Sequence, residues 1–191
     1  MHATRNLISG SVAGVLLLIV FASVVCAQPV PKPTDDVVLT MPEPPDGYIV
    51  SKNRIVDNKT PIGIQVVIVK EGSPSKIVVT VETSRDISAH AARVAATKGY
   101  VNGTAEGLQA AGLKLKDSKL PDLQKTDFSS PLLAERTFTR PDDSEIYLRQ
   151  IIFFTDKGYN VQVVAMDKAE LESLTTWAKH IKPASISESS R

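Results

Sequence analysis

This sequence predicts an α+β fold: an antiparallel β-sheet of about six strands with helices on both faces, an α/β/α sandwich. Three observations carry that expectation. Two β-branched runs, residues 64–70 and 76–82, are joined by Glu71-Gly72-Ser73-Pro74-Ser75, the pattern of a hairpin with a five-residue loop. Residues 132–140, 145–155 and 159–166 form a second group of strands joined by short turns. Within that meander the middle strand is apolar on both sides, with Tyr147, Ile151 and Phe153 alternating with Ile146, Leu148, Ile152 and Phe154. A strand apolar on both sides belongs to a sheet covered on both sides, and one helix per face supplies the cover.

The elements follow in order. Residues 1–27 carry one early cation, Arg5, then an apolar run, then small residues ending in Val25-Cys26-Ala27, which is the layout of a secretory signal. Three outcomes are open. Cleavage between Ala27 and Gln28 puts small residues where the peptidase reads them. Lipidation of Cys26 asks for a small residue before the cysteine, where Val25 stands. Retention as an anchor draws on residues 7–25, close to the about 20 apolar residues of a spanning helix, although Ser9, Gly10 and Ser11 weaken it. Residues 28–36 follow as a proline-rich linker.

A single α/β domain is expected over residues 37–183, with a disordered polar tail over 184–191. Its first strand is residues 37–41. The turn cluster Pro42-Glu43-Pro44-Pro45-Asp46-Gly47 leads into Tyr48-Ile49-Val50. After the hairpin comes a helix whose apolar face is Ile87, Ala91, Val94, Val101, Ala105 and Leu108. Ser84 or Ser88 is its expected cap, Gly99 a break and Gly112 its stop; Gly99, Gly103 and Gly107 suggest close packing of this helix on the sheet. In the meander, Pro141-Asp142-Asp143-Ser144 makes the first turn. Asp156-Lys157-Gly158 makes the second, with Gly158 left-handed. A last helix opens at Asp167 with Glu170 as its capping-box partner, buries Leu171, Leu174, Ala178 and Ile181, and ends at Pro183.

Composition narrows the function classes. The one cysteine, Cys26, lies in the signal, so the exported domain has no disulfide and needs a real apolar core. The 22 basic residues less Arg5 match the 21 acidic ones. A balanced charge argues against a nucleic-acid binder and against a polybasic membrane-surface binder, so membrane contact is expected only through an uncleaved or lipidated N-terminus.

Chemistry-bearing patterns are sparse. His90 and His180 stand without neighbours at metal-ligand spacing and read as surface or cap histidines, so no zinc site and no cofactor are expected. Gly72-Ser73-Pro74-Ser75-Lys76 lacks the second glycine of a nucleophile elbow and reads as a turn. The acidic pairs Asp35-Asp36 and Asp142-Asp143 read as solvated loop residues. Asn58-Lys59-Thr60 and Asn102-Gly103-Thr104 fit the glycosylation pattern, which matters only in a eukaryotic source. No catalytic residue is expected.

One arrangement points to a binding site. A symmetric turn at Asp142-Asp143 pairs Arg140 with Glu145, Phe138 with Tyr147 and Arg136 with Arg149. Opposed arginines repel unless a carboxylate or a bound anion lies between them. Arg136 and Arg149 are therefore a weak candidate anion site; a nearby glutamate or a register one residue off is the plainer alternative.

The order of elements resembles a known family. Pro44-Pro45-Asp46-Gly47-Tyr48, then a hairpin, a long helix and a meander ending in Gly158-Tyr159-Asn160-Val161-Gln162-Val163-Val164-Ala165, then a short helix with Trp177, is similar to the Mog1/PsbP-like fold, which includes exported bacterial proteins. The resemblance covers residues 37–183 and rests on order and spacing. It implies a non-enzymatic binding or assembly-supporting role in the cell envelope, with a protein partner or envelope component, in a periplasmic or secreted location. The alternative is an extracytoplasmic small-ligand binder with a pocket between the sheet and the long helix.

Overall fold

The computed structural model describes residues 39–57, 60–82 and 86–183, all within one compact unit, Thr34–Arg191. The expected signal, the linker, the Ala27-Gln28 junction, the tail, Ser84 and Asn58 lie outside the described residues. The chain runs β1 (Leu39–Thr40), β2 (Tyr48–Asp57), β3 (Thr60–Lys70), β4 (Lys76–Glu82), α1 (His90–Ala110), β5 (Lys114–Lys119), β6 (Leu132–Thr139), β7 (Glu145–Phe154), β8 (Gly158–Ala165), α2 (Lys168–Ala178) and β9 (Lys182–Pro183). It is an α+β protein whose main sheet is antiparallel and seven-stranded, in the order β2-β3-β4-β8-β7-β6-β5. β1 does not join it but pairs with β9 in a small second sheet.

In the hairpin, β4 has the expected limits and β3 ends where expected at Lys70 but begins at Thr60 and not at Ile64, and Gln162 alone in β8 escapes full burial. The seventh strand is β5, Lys-Leu-Lys-Asp-Ser-Lys, for which no strand was expected. All six residues are exposed, so it has no apolar period to read, and pairing with β6 makes it a strand. Its lysines and a bulge between Leu115 and Asp117 suit a guarded sheet edge.

Three apolar clusters hold the fold. One joins Ile68, Val79, Ile151, Val161 and Val163 to Leu171, Leu174 and Ala178 of α2. The other two join Ala134, Phe138, Ile146, Leu148, Ile152 and Val164 to Val101, Ala105 and Leu108 of α1. Burying each large aliphatic side chain contributes about 1.5–3 kcal/mol.

α1 corrects four expectations. Its N-cap is Ala89 with no side-chain cap bond, and Ser88 instead donates its N–H to Asp86. The helix is continuous through Gly99. Gly99, Gly103 and Gly107 are exposed with no neighbour within 4 Å of an added Cβ, so they are a solvent-facing stripe and not a close contact with the sheet. Ala91 is exposed and Val94 half-buried, whereas Ala96 and Thr97 are buried. Packing has turned the helix away from the simplest apolar periodicity. Gly112 does end it: at φ 89° it donates to Gln109 O (2.9 Å) while Leu113 donates to Leu108 O (3.2 Å), and Leu108 packs in the same cluster as Leu113. That double bond pattern is a Schellman motif, which favours glycine at the left-handed position.

The second meander loop is Thr155-Asp156-Lys157, since Gly158 already pairs with Phe154 in β8. Gly158 is not left-handed; a Cβ there would lie 2.4 Å from Tyr100 Oη, the far end of a side chain from α1, which would have to shift to admit it. α2 is capped by Asp167, whose Oδ1 accepts the Glu170 N–H at 2.8 Å, one half of the expected capping box; the Glu170 carboxylate accepts the N–H of Met166, one residue before the cap, at 3.4 Å. The helix ends at Ala178, and Pro183 belongs to β9. Asp167→Ala is expected to lower stability by about 1 kcal/mol, a fall in Tm of roughly 2–4 °C by calorimetry, because the capped Glu170 N–H loses its acceptor. An unchanged Tm would contradict the cap.

Candidate functional site

The two arginines do not face each other. The first meander loop is three residues long, Pro141-Asp142-Asp143, closed by Arg140 N–H on Ser144 O at 2.8 Å. Asp143 sits at φ 62°, a conformation aspartate tolerates better than most residues. An odd loop shifts the pairing by one residue relative to a symmetric turn, which sends every later side chain to a different neighbour. Thr139 therefore faces Glu145, Thr137 faces Tyr147, and Phe138 faces Ile146. Arg136 faces Leu148 and Arg149 faces Glu135.

Arg149 is fully engaged. Its Nε donates to Glu135 at 2.7 Å, and its two terminal nitrogens donate to both carboxylate oxygens of Glu172 at 2.6 and 2.7 Å. These bonds hold its guanidinium above the usual range and the Glu172 carboxyl below it. Arg136 is 7% exposed, donates from Nη1 to Val101 O in α1, and has no partner for Nε. Burial lowers its pKa. The pair gives a salt-bridge hub and a buried cation, not a joint anion site.

The remaining candidates keep modest roles. His180 is exposed just beyond α2. Ser73 Oγ accepts the Ser75 N–H, a turn contact. Asp142 accepts from Ser144 N–H and Oγ, which lowers its pKa. Asn102 is exposed on α1. Among the described residues no group of three or more His, Cys, Asp or Glu is placed to hold a metal ion. His90 starts α1 with its ring edge-on to Phe128 (5.2 Å), which in turn meets Phe154 (5.4 Å). Phe128 has φ 60°, rare for an aromatic residue. Beside this cluster an open depression of about 660 Å³ is lined by His90, Ala91, Val94, Lys98 and residues 121–124. It takes its walls from α1 and the loop after β5, with no sheet residue among them, so it is not the expected pocket between sheet and helix.

The sheet's other edge is more distinctive. β2 is an outermost strand, and among the described residues no strand pairs with its outer side. Ile49 is 65% exposed and Val50 45%, adjacent residues on alternate faces, and Lys52 is exposed too. β2 is also firmly placed. Gly47 at φ 79° and the bond from Tyr48 N–H to Pro45 O (2.9 Å) make a type II turn at its entry. Tyr48 Oη then donates to Glu170 Oε1 (3.2 Å), and Ser75, from the β3–β4 loop, donates to Glu170 Oε2 (2.5 Å). One carboxylate at the start of α2 thus ties the edge strand and the hairpin loop together. Sequence reasoning missed this edge, because Tyr-Ile-Val looks the same in a central strand as in an outer one.

Burial, reinforced by Glu170, raises the Tyr48 hydroxyl from 10.0 to about 12. The folded state holds this proton more tightly than the unfolded chain. The stability it contributes is complete below pH 10 and is lost as pH rises from 10 towards 12. Burial also raises Tyr159, and a bond to Glu145 raises Tyr147. Absorbance titration of tyrosinate should show late ionisation that Tyr48→Phe reduces, and urea midpoints of the wild type should fall between pH 10 and 12 more than those of Tyr48→Phe. Identical profiles would remove the Glu170 anchor.

Among the described residues no helix is long and apolar enough to cross a membrane. No protein-family model, curated protein or solved structure matches this chain.

Proposed function

We propose that this chain is an exported, non-catalytic domain that binds a protein partner or supports an assembly in the cell envelope. The signal-like residues 1–27 support export. The observation that carries the binding role is the outer edge of β2, with Ile49 and Val50 exposed in succession, one on each face, on a strand held in place at its entry. β5 carries lysines and a bulge, and β2 carries Lys52 and a register shift against β3 between Ile55 and Val56; at its entry end β2 is regularly paired and leaves Ile49 and Val50 exposed, which favours a recognition surface there. The Mog1/PsbP-like reading belongs to the same proposal. On β7 and β8, α2 shares a cluster with Ile151, Val161 and Val163, while α1 shares its clusters with Ile146, Leu148, Ile152 and Val164. Alternation along a strand puts those two sets on opposite faces, which favours the α/β/α sandwich.

The test is recovery of partners from an envelope fraction with the wild-type chain and with an Ile49→Lys/Val50→Lys variant. Both positions are exposed, so the variant should fold. Partners recovered by the wild type and lost with the variant are expected; identical recovery overturns the reading. The small-ligand alternative draws on the depression beside α1. It predicts that Val94→Trp, and not the β2 variant, abolishes a thermal shift produced by envelope small-molecule extracts.

A further inference from the structure

We propose that α1 opens from the sheet as a separate unit, melting while the strands beneath it stay paired, and so uncovers an apolar surface that the closed fold hides. The opening does not involve β2 and stands apart from the partner-binding reading. Several features weaken the hold of α1. Its N-cap, Ala89, makes no side-chain bond, and the helix has no acidic residue in its first turn and no basic residue in its last. Such ends lack both the cap and the favourable interaction with the helix dipole. Gly99, Gly103 and Gly107 lie in its interior, exposed, with no neighbour within 4 Å of an added Cβ. Glycine is a weak helix former, and no packing offsets that here. Of its 21 residues only Ala96, Thr97, Val101 and Ala105 are buried, two of them alanines. α2 differs: in 11 residues it buries Leu171, Leu174, Thr175 and Ala178, and it carries both the Asp167 cap and Glu170 in its first turn.

The interface beneath α1 is also divided. Val101 packs with Ala134 and Ile152 towards one end, and Ala105 with Phe138, Leu148 and Val164 towards the other. Between them stands Gln150, on the same face of β7 as Leu148 and Ile152. Its Nε2 donates to Tyr100 O (3.2 Å) and Thr104 Oγ1 (3.3 Å), and Arg136 Nη1 donates to Val101 O. These bonds, with that from Tyr100 Oη to Glu82 (2.8 Å), hold the closed state. Gln150 Oε1 and Arg136 Nε, however, are buried without a partner. Unmet buried polar groups disfavour the closed state, and opening gives both to water. A short helix free of its support is marginal in water, and three interior glycines make it worse, so release and melting coincide. The strands below have no such weakness. β8 is the fourth of seven in the sheet, and seven of its eight residues are buried. Opening α1 leaves that ladder in place and exposes Phe138, Leu148 and Ile152, each at most 1% exposed when the helix is closed.

Native-state amide exchange on the full chain is the test. Amides of residues 94–108 should share one opening constant and exchange about tenfold or more faster than those of β7 and β8, with a weaker dependence on urea than global unfolding shows. Gly99→Ala/Gly103→Ala/Gly107→Ala, at exposed positions with room for a methyl group, should lower that opening constant about 100-fold. Thiol labelling in a Cys26→Ser background checks which face is uncovered. The Ala134→Cys thiol, under α1, should react at the rate of α1 opening. The Ala165→Cys thiol, packed in the cluster that α2 covers, should react only on global unfolding. Protection in α1 equal to that of β7 and β8 would overturn the proposal. So would rates that fall steadily from the helix ends to its centre, which is fraying, or a triple variant with an unchanged opening constant. Equal labelling of the two thiols would overturn it as well. The wild-type exchange pattern decides the matter even where a cysteine variant does not fold.

Discussion

Arg149→Met is expected to cost about 2 kcal/mol, a fall in Tm of roughly 4–8 °C. The side chain is only 11% exposed and joins three elements: β7, which carries it, β6 through Glu135, and α2 through Glu172. Methionine fills much the same volume but leaves two carboxylates near each other without their cation. The loss stays below the about 3–5 kcal/mol of a fully buried pair, because water reaches both acids: their side chains are 31% and 65% exposed. Trp177, the one tryptophan in the chain, reports unfolding, since its Nε1 donates to Glu43 O at 2.8 Å. Urea unfolding followed by its fluorescence gives the free energy. The deficit should shrink in high salt, which screens the repulsion left behind. In the variant, the Glu172 carboxyl should titrate closer to its ordinary value, because the Arg149 bonds that depress it are gone. A variant within about 0.5 kcal/mol of the wild type would show that the hub contributes packing alone.

The same two arginines show where the sequence was readable and where it was not. Strands β3, β4, β6, β7 and β8 announce themselves through local pattern, and α2 through Asp167, Glu170 and a clean apolar face. Those signals are confined to neighbouring residues. Register is different, because it depended on whether one aspartate, Asp143, would enter a left-handed conformation and make the loop odd. Nothing in Pro-Asp-Asp-Ser decides that, and the choice replaced an arginine pair with Glu135 facing Arg149. Gly158 repeats the lesson: read locally it is a left-handed turn glycine, but it already pairs with Phe154 in β8, and its nearest neighbour on the Cβ side is Tyr100, far away in sequence. β5 carries no pattern at all and is made a strand by β6. The open edge of β2 is likewise a property of the strand order, which follows from every pairing together. Local chemistry therefore found the elements and most of the core, while the candidate site depended on long-range arrangement.

Arg136→Met should act in the opposite direction from Arg149→Met and raise stability by about 1–2 kcal/mol. Arg136 is as buried as the apolar residues around it, yet its contacts compensate poorly. Nη1 has a main-chain acceptor, Val101 O, and Nε has none. An unmet buried donor costs about 1–3 kcal/mol, and desolvating a cation adds to that. The bond to Val101 O offsets part of the cost. Methionine is flexible enough to occupy the space between Leu148 and α1 without leaving a cavity of the kind alanine would create. Gln150 already ties the sheet to α1 through Tyr100 O at 3.2 Å, so the helix keeps a polar anchor when the arginine is removed. Thermal and urea unfolding should both show the gain, and phosphate or sulfate should not alter the difference between variant and wild type. If the variant is less stable, the Val101 bond outweighs the buried charge. If added phosphate stabilises the wild type and not the variant, Arg136 holds an anion after all, and its orphaned Nε is the atom that binds it.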